Sequence, residues 1–400
     1  MPNPPAEDIS LYRRLRRRVR GLFLSRLGLM PQAFRDAARG STGLSDFGHR
    51  DHAEGMQRLL TSLRGDARLT IVGRIMMQRA VLIALEQRLL LEDLRQREPG
   101  KLNAPILPPI IVTGLPRSGT TFLHRLLAVH PDMRAPVLSE LVEPVRRRKE
   151  GRLADARLKF EMSLLRFLAP GLDAKHFTRL DEPEECIFAT MMSFRGMVFW
   201  TFGPVYTYMN WYRDASRHQK YRDYHDILRL LQARDPARRL ALKAPDHLGG
   251  MEELLRAVPE ALVVVCHRDP VASLTSFNSL LQTLHVAISR MPDARRLGET
   301  NLAFFEAETR KYMRARGKRA DRILEIGYDE LIADPAGVAR RIFARAGLAM
   351  TPEAEDALAR HIAANPKDRY GRHDYDPADF GQTGARIAAR LAHYTAADRG

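Results

Sequence analysis

The chain has 400 residues, 45% of them hydrophobic, enough to bury a sizeable core in one large or two modest domains. No apolar run approaches the length of about eighteen residues that a membrane-spanning helix needs. The opening Met1 to Asp8 lacks the charged-then-apolar order of a secretory signal, and two cysteines, Cys186 and Cys266, exclude a disulfide framework or a four-cysteine zinc site. A reducing cytoplasm is therefore expected. The net charge of +16, from 64 basic and 48 acidic residues, admits nucleic acid, anionic lipid or a multiply phosphorylated small molecule as a partner.

The first element, within residues 9–29, is a basic amphipathic helix by pattern. Arg13, Arg14, Arg16, Arg17, Arg18, Arg20 and Arg26 occur with no acid among them, while Leu11, Leu15, Val19, Leu22 and Phe23 recur every three or four residues. Such a helix rests on an anionic membrane, here the inner surface, or docks on the protein with its basic face in water. Ser45 to Pro99 is also helical by pattern. Met56, Leu59, Leu60 and Leu63 make one face, and a second segment from Ile75 through Leu91 stops before Pro99-Gly100; the Met76-Met77 pair reads as core filler. Pro105, Pro108 and Pro109 mark a boundary, so the expected organisation is an N-terminal helical region, 1–100, packing on an α/β domain, 101–400.

The strand Ile110-Ile111-Val112 then runs into Thr113-Gly114-Leu115-Pro116-Arg117-Ser118-Gly119-Thr120-Thr121, and Phe122, Leu123, Leu126 and Leu127 follow at helical spacing. A glycine loop between a strand and a helix start turns backbone N–H groups and the helix dipole toward an anion. Arg117 adds a permanent charge, and Ser118, Thr120 and Thr121 add hydroxyl groups. The loop approximates the nucleotide-binding pattern Gly-x-x-x-x-Gly-Lys-[Ser/Thr], but Thr120 stands where the lysine belongs and the cation has moved to Arg117. A magnesium-dependent kinase is the rival that the missing lysine disfavours, and a non-enzymatic polyanion- or membrane-binding protein is a second.

Beyond the loop, a largely helical insertion at about 145–239 holds Phe199, Trp200, Phe202, Tyr206, Tyr208, Trp211 and Tyr212, as an acceptor wall or as plain core. Further strands are expected at Leu240 to Lys243, Leu262 to His267 and Ile323 to Tyr328. Alternation with helices implies a doubly wound, P-loop-like parallel sheet flanked by helices, with ligands at the carboxyl ends of its strands. Arg268 follows the second of these strands, Pro270 opens a helix, and Ser276 lies two turns into it, so that one phosphate fits both Arg268 and Ser276.

Two separate phosphate grips set the chain apart from an ordinary triphosphatase. In Pro116-Arg117-Ser118-Gly119-Thr120-Thr121 it resembles the 5′-phosphosulfate loop of the sulfotransferase superfamily, in the version of bacterial and tyrosylprotein branches. Arg268 and Ser276 resemble that family's 3′-phosphate pair, and Tyr328-Asp329-Glu330-Leu331 its adenine-side segment. Leu242-Lys243-Ala244-Pro245-Asp246-His247-Leu248 and the block from Tyr370 through Arg372 to Tyr375 resemble further bacterial blocks. The resemblance, spanning roughly Ile110 to Gly381, implies 3′-phosphoadenosine 5′-phosphosulfate as co-substrate, no metal, a small-molecule or lipid acceptor, and no nucleic-acid partner. It further implies donor contacts from Arg117, Ser118, Gly119, Thr120, Thr121, Arg268, Ser276, Tyr328 and Arg372, with Lys243 assisting at the sulfonate or donor phosphate.

Transfer to a hydroxyl needs a base for the acceptor's proton. Glu140, in the segment returning after the loop's helix, is the first choice, with Glu143 close by. The rivals are Asp181, Glu182, Glu184 and Glu185, whose ordinary reading is an acidic helix start around Pro183, and His247, whose ordinary pKa suits proton transfer at neutral pH.

Overall fold

The computed structural model describes residues 28–145, 182–365 and 375–395, together with positions 156, 158, 159 and 163. Arg372, Asp181 and nearly all of the basic stretch 9–29 lie outside the described residues.

Five parallel strands form one sheet: β1 (Ile110–Gly114), β2 (Met133–Arg134), β3 (Arg239–Lys243), β4 (Leu262–His267) and β5 (Ile323–Gly327). Their order is β2-β3-β1-β4-β5. Four of the strands were legible as short apolar runs, whereas the two-residue edge strand β2 carries no such run. Side chains alternate between two cores. Ile111, Leu240, Leu242, Val263 and Val265 join the larger one, and Ile110, Val112, Ala241, Val264 and Cys266 join the other with Leu123, Leu127, Ile342 and Phe343. Burial on both faces explains why β1 and β4 read as continuous apolar runs rather than as alternating ones.

The N-terminal helices α1 (Pro31–Thr42), α2 (Asp51–Gly65) and α3 (Ile71–Arg97) pack into the larger core. The first was not anticipated, although Pro31 at its start and Gly43 in the left-handed conformation at its end are ordinary boundary signals. Thr70 caps α3 by accepting from the Gly73 N–H. Met77 is buried as expected, whereas Ile75 faces outward. Arg88, fully buried in α3, donates to Asp223 at 2.9 Å, and Arg95 reaches Asp223 at 2.8 Å and Asp226 at 2.6 Å. These pairs fasten the N-terminal region to the insertion.

After β1 come α4 (Thr120–Leu127) and α5 (Leu138–Val142), then in the insertion a short helix at Val198–Phe202, α6 (Tyr206–Asp214) and α7 (His218–Arg234). Phe199, Trp200, Tyr206, Tyr208 and Tyr212 are buried, so most of the aromatic stretch is core rather than a pocket wall. The segment at Pro183 is not a helix start. Pro183 pairs with Val137 in an antiparallel bridge, and Cys186 N donates to the Lys243 carbonyl at 2.9 Å, laying this segment beside the end of β3. The remaining helices that matter here are α8 (Pro270–Ile288), capped by Asp269, α9 (Ala294–Arg316) and α10 (Tyr328–Ala333). Among the described residues no helix is long and apolar enough to cross a membrane.

Candidate active site

Because β1 lies between β3 and β4 and the chain leaves it in one direction and later returns on the other side, its carboxyl end is the switch point of the sheet, where ligands bind in open α/β folds. The loop Leu115 to Gly119 sits there. Gly114 has φ 145° and faces Cys266 of β4 so closely that a Cβ would lie 2.3 Å from its carbonyl oxygen. Gly119, at φ 86°, admits the turn into α4. Arg117 also has a positive φ, 66°, which is costly for a side-chain-bearing residue. Two bonds hold it: Arg268 Nη1 donates to the Arg117 carbonyl at 2.7 Å, and Ser118 Oγ donates to the Leu115 carbonyl at 2.6 Å.

The strand ends bring the separate sequence blocks together. Arg117 Nε donates to Ser276 Oγ at 3.2 Å, across 159 residues of chain. Arg268, leaving β4, lies over the ring of Tyr328, which follows β5, at 4.2 Å from the ring centroid. Tyr328 also packs beside Gly119, where an added Cβ would lie 3.3 Å from its ring. Lys243, at the end of β3, is buried and paired with Glu185. Burial and the neighbouring charge of Arg268 lower the pKa of Arg117, while Tyr375, Tyr328 and Glu185 oppose them. Glu185 and Tyr375 thus lie within electrostatic reach of Arg117. Arg117, Lys243, Arg268, Ser276 and Tyr328 therefore converge from four strands, with Ser118, Thr120 and Thr121 on the connecting turn.

The candidate bases separate by what they touch. Glu140 accepts from Arg134 at 3.1 Å, from Arg234 at 3.2 Å and from the Val137 N–H at 3.1 Å, capping its own short helix. Although burial opposes it, the charge of Arg134 keeps the Glu140 carboxyl below its ordinary pKa. A carboxylate so engaged is a structural anchor. Glu143 lies 3.9 Å from Arg79, and Glu182 pairs with Arg125 at 3.0 Å. His247 is enclosed, with Nε2 3.2 Å from Cys186 Sγ and Nδ1 3.2 Å from the Tyr221 hydroxyl. Burial, helped by Lys220, pulls its pKa to about 3, so it stays neutral and away from the cradle's surface. Glu185 contacts a cradle residue, Lys243, and its side chain remains partly exposed. The sequence placed it among the rivals, but its partner at Lys243 is 58 residues away. Cys186, which aligns this segment by its bonds to Lys243 and His247, had no signal in the sequence beyond its rarity.

Comparison with known proteins agrees with this geometry. A model of the sulfotransferase family matches residues 108–352. The sulfotransferase STF1 from Mycobacterium tuberculosis superposes with a TM-score of 0.76 at 28% identity, covering 90% of this chain and 98% of its own. The sulfotransferase STF9 from Mycobacterium avium gives 0.79 at 26% identity, covering 91% and 95%. No curated protein matches the chain. The matched span runs from the strand before the glycine loop past the Tyr328 helix, so it takes in each side chain that meets in the cradle, and the chain belongs to the sulfotransferase family.

Proposed function

We propose that this sulfotransferase takes its sulfuryl group from 3′-phosphoadenosine 5′-phosphosulfate, passes it to a hydroxyl of a small-molecule or lipid acceptor, and releases adenosine 3′,5′-bisphosphate. The observation that supports this reading is the meeting of two arginines at adjacent strand ends, Arg117 on the loop after β1, bonded to Ser276, and Arg268 after β4, bonded to the Arg117 carbonyl. A ligand with phosphate at two separate places fits them. Tyr328, beside both, supplies an aromatic face for the base. The Arg372 contact belongs to this reading as an expectation, and the insertion at about 145–239 forms the acceptor side. Cys186 and Cys266 are buried free thiols, which suits a reducing, cytoplasmic setting.

The donor supplies a sulfuryl group on a phosphate leaving group, and the chain supplies charge and a proton acceptor. As the acceptor oxygen bonds to sulfur, the bond from sulfur to the 5′-phosphate oxygen breaks and that oxygen keeps the electron pair. Arg117, Thr120, Thr121 and the start of α4 stabilise the growing charge. Glu185 takes the acceptor's proton. Because Glu185 neutralises Lys243 in the resting state, protonating it leaves the Lys243 ammonium uncompensated beside the departing phosphate. Base and electrostatic catalyst are thus coupled through one ion pair.

The test uses donor labelled on sulfur, an extract of candidate metabolites, and the Glu185→Gln variant in parallel. Wild type labels a product, and the variant does so about 100- to 10,000-fold more slowly, with bisphosphate affinity within about threefold. Near-normal transfer by the variant moves the base elsewhere, and failure of the wild type to bind the bisphosphate refutes the donor.

A further inference from the structure

Five large apolar side chains are left exposed among the described residues, Met30 (58% exposed), Ile71 (72%), Ile75 (41%), Val286 (57%) and Met291 (63%), and the last four gather at one corner. Ile71 and Ile75 are one turn apart at the start of α3, and Val286 and Met291 flank the end of α8. The two ends are stitched together. Thr70 N donates to the Ile288 carbonyl at 2.9 Å, Arg290 N donates to the Arg68 carbonyl at 3.0 Å, and Leu69 pairs with Ser289 in an antiparallel bridge. Gly73 lies so close to Ile288 that a Cβ would meet its carbonyl oxygen at 2.2 Å. Met30 lies apart from them against α2, where the Arg64 guanidinium bonds the Leu29 carbonyl and reaches Met30 Sδ at 4.0 Å.

Cations interleave with this patch. Arg68, Arg74 and Arg290 are exposed, and Arg68 Nη1 lies 3.3 Å from Met291 Sδ. Among the described residues none of the three forms an ion pair. The neighbouring acids are occupied: Asp66 binds Arg296 at 2.9 Å and Ser62 at 2.6 Å, and Asp293 caps α9. Charge then selects the occupant. A second copy of the chain would bring the same arginines into contact, and the Leu11–Arg26 stretch would bring seven more without an acid. An anionic bilayer accepts both the apolar side chains and the cations.

We propose that this corner docks on an anionic lipid surface. Ile71, Ile75, Val286 and Met291 enter the interfacial zone, and Arg68, Arg74 and Arg290 take lipid phosphates. Helix α8 links the corner to the cradle, since Ser276 and Ile288 are twelve residues, about 18 Å, apart along it. Gly203 of the insertion backs onto Ile288, where an added Cβ would lie 3.2 Å from its Cδ1. An acceptor dissolved in the bilayer would therefore meet the acceptor side of an enzyme already held at the surface. The docking does not rest on the identity of the donor.

Flotation of the full chain with vesicles of phosphatidylcholine alone, and of phosphatidylcholine with about one third phosphatidylglycerol, tests the proposal. The protein floats with the anionic vesicles and remains in solution with the neutral ones. Ile71→Ser with Met291→Ser lowers the partition coefficient by about tenfold through lost apolar contact. Arg68→Gln with Arg290→Gln lowers it by about 20-fold, near fivefold per charge. All four positions are exposed, and unchanged thermal unfolding and bisphosphate affinity show that the variants fold. If one pair fails to fold, the other carries the comparison. Unchanged binding by both variants, equal binding to the neutral vesicles, or binding to neither vesicle overturns the proposal.

Discussion

Replacing Arg268 with alanine separates a phosphate ligand from a mere clamp on the loop. In the structure its guanidinium donates one bond to the Arg117 carbonyl and covers the Tyr328 ring, so its loss disturbs the cradle whichever nucleotide binds. Those two contacts are worth about 1 kcal/mol for the bond and about 0.5–1 kcal/mol for the ring contact. A charge-assisted bond to a 3′-phosphate adds about 1.5–3 kcal/mol, but only for a nucleotide that carries one. Comparing adenosine 3′,5′-bisphosphate with adenosine 5′-monophosphate cancels the first two terms and isolates the third. Calorimetry without divalent metal should give a wild-type preference for the bisphosphate of about 10- to 150-fold. In Arg268→Ala that preference collapses to within about threefold. Ser276→Ala, which removes one neutral hydroxyl, reduces it by about fivefold. If Arg268→Ala weakens both nucleotides by the same factor, Arg268 is only a clamp and the second grip does not exist.

Glu140→Gln removes charge from a carboxylate bound by two arginines and its own helix. It should lower stability by about 1–3 kcal/mol in urea titrations while turnover stays within about threefold; a loss of a hundredfold or more would return the base to Glu140. Asp246, fully buried, holds Lys220 at 2.6 Å and the Tyr212 hydroxyl at 2.8 Å. Asp246→Asn should cost about 3–5 kcal/mol by stranding a buried ammonium, and a cost below about 1 kcal/mol would contradict the buried ion pair. Glu325 binds His267, Tyr312 and Arg316, and although burial opposes them these hydrogen bonds hold its pKa near about 2. A folded-state pKa below the unfolded one contributes stability that is present above about pH 4.5 and lost as the pH falls toward 2. With solvent screening of this half-exposed group the contribution is about 1–2 kcal/mol. Glu325→Gln should therefore be less stable than wild type at about pH 6 and nearly equal to it near pH 2; a gap that does not change with pH would refute the role of the carboxylate.

The residues that meet at the ends of β1 and β4 could be singled out in the sequence because they sit in local motifs. Gly114, Arg117 and Gly119 occupy one turn, and Arg268 and Ser276 share the start of one helix, so spacing along the chain already encodes their geometry. Which acid pairs with Lys243 was not legible in this way. Glu140 stands between Ser139 and Leu141 and Glu185 ends an acidic run, and nothing local tells which of them reaches the strand ends. Glu140 meets Arg134 six residues back on β2 but Arg234 only through folding, and Glu185 meets Lys243 only because the Pro183 segment lies along β3. His247 failed as a candidate for the same reason: its ordinary pKa belongs to an imidazole in water, and burial against Cys186 and Tyr221 removes that water.

Periodicity and turn chemistry were enough for the strands β1, β3, β4 and β5, the helical segments 51–65 and 71–97, and the glycine loop, since each rests on interactions within a few residues or on burial of a continuous apolar run. Folding alone settled which acids face the cradle, that most of the aromatic stretch is core, and that apolar side chains from the start of α3 and the end of α8 share one arginine-rimmed corner. The physical reason is the range of the interactions. Local conformational preference is carried by neighbours in the chain, whereas burial, ion pairing and surface exposure depend on residues brought together from 58 to more than 200 positions apart.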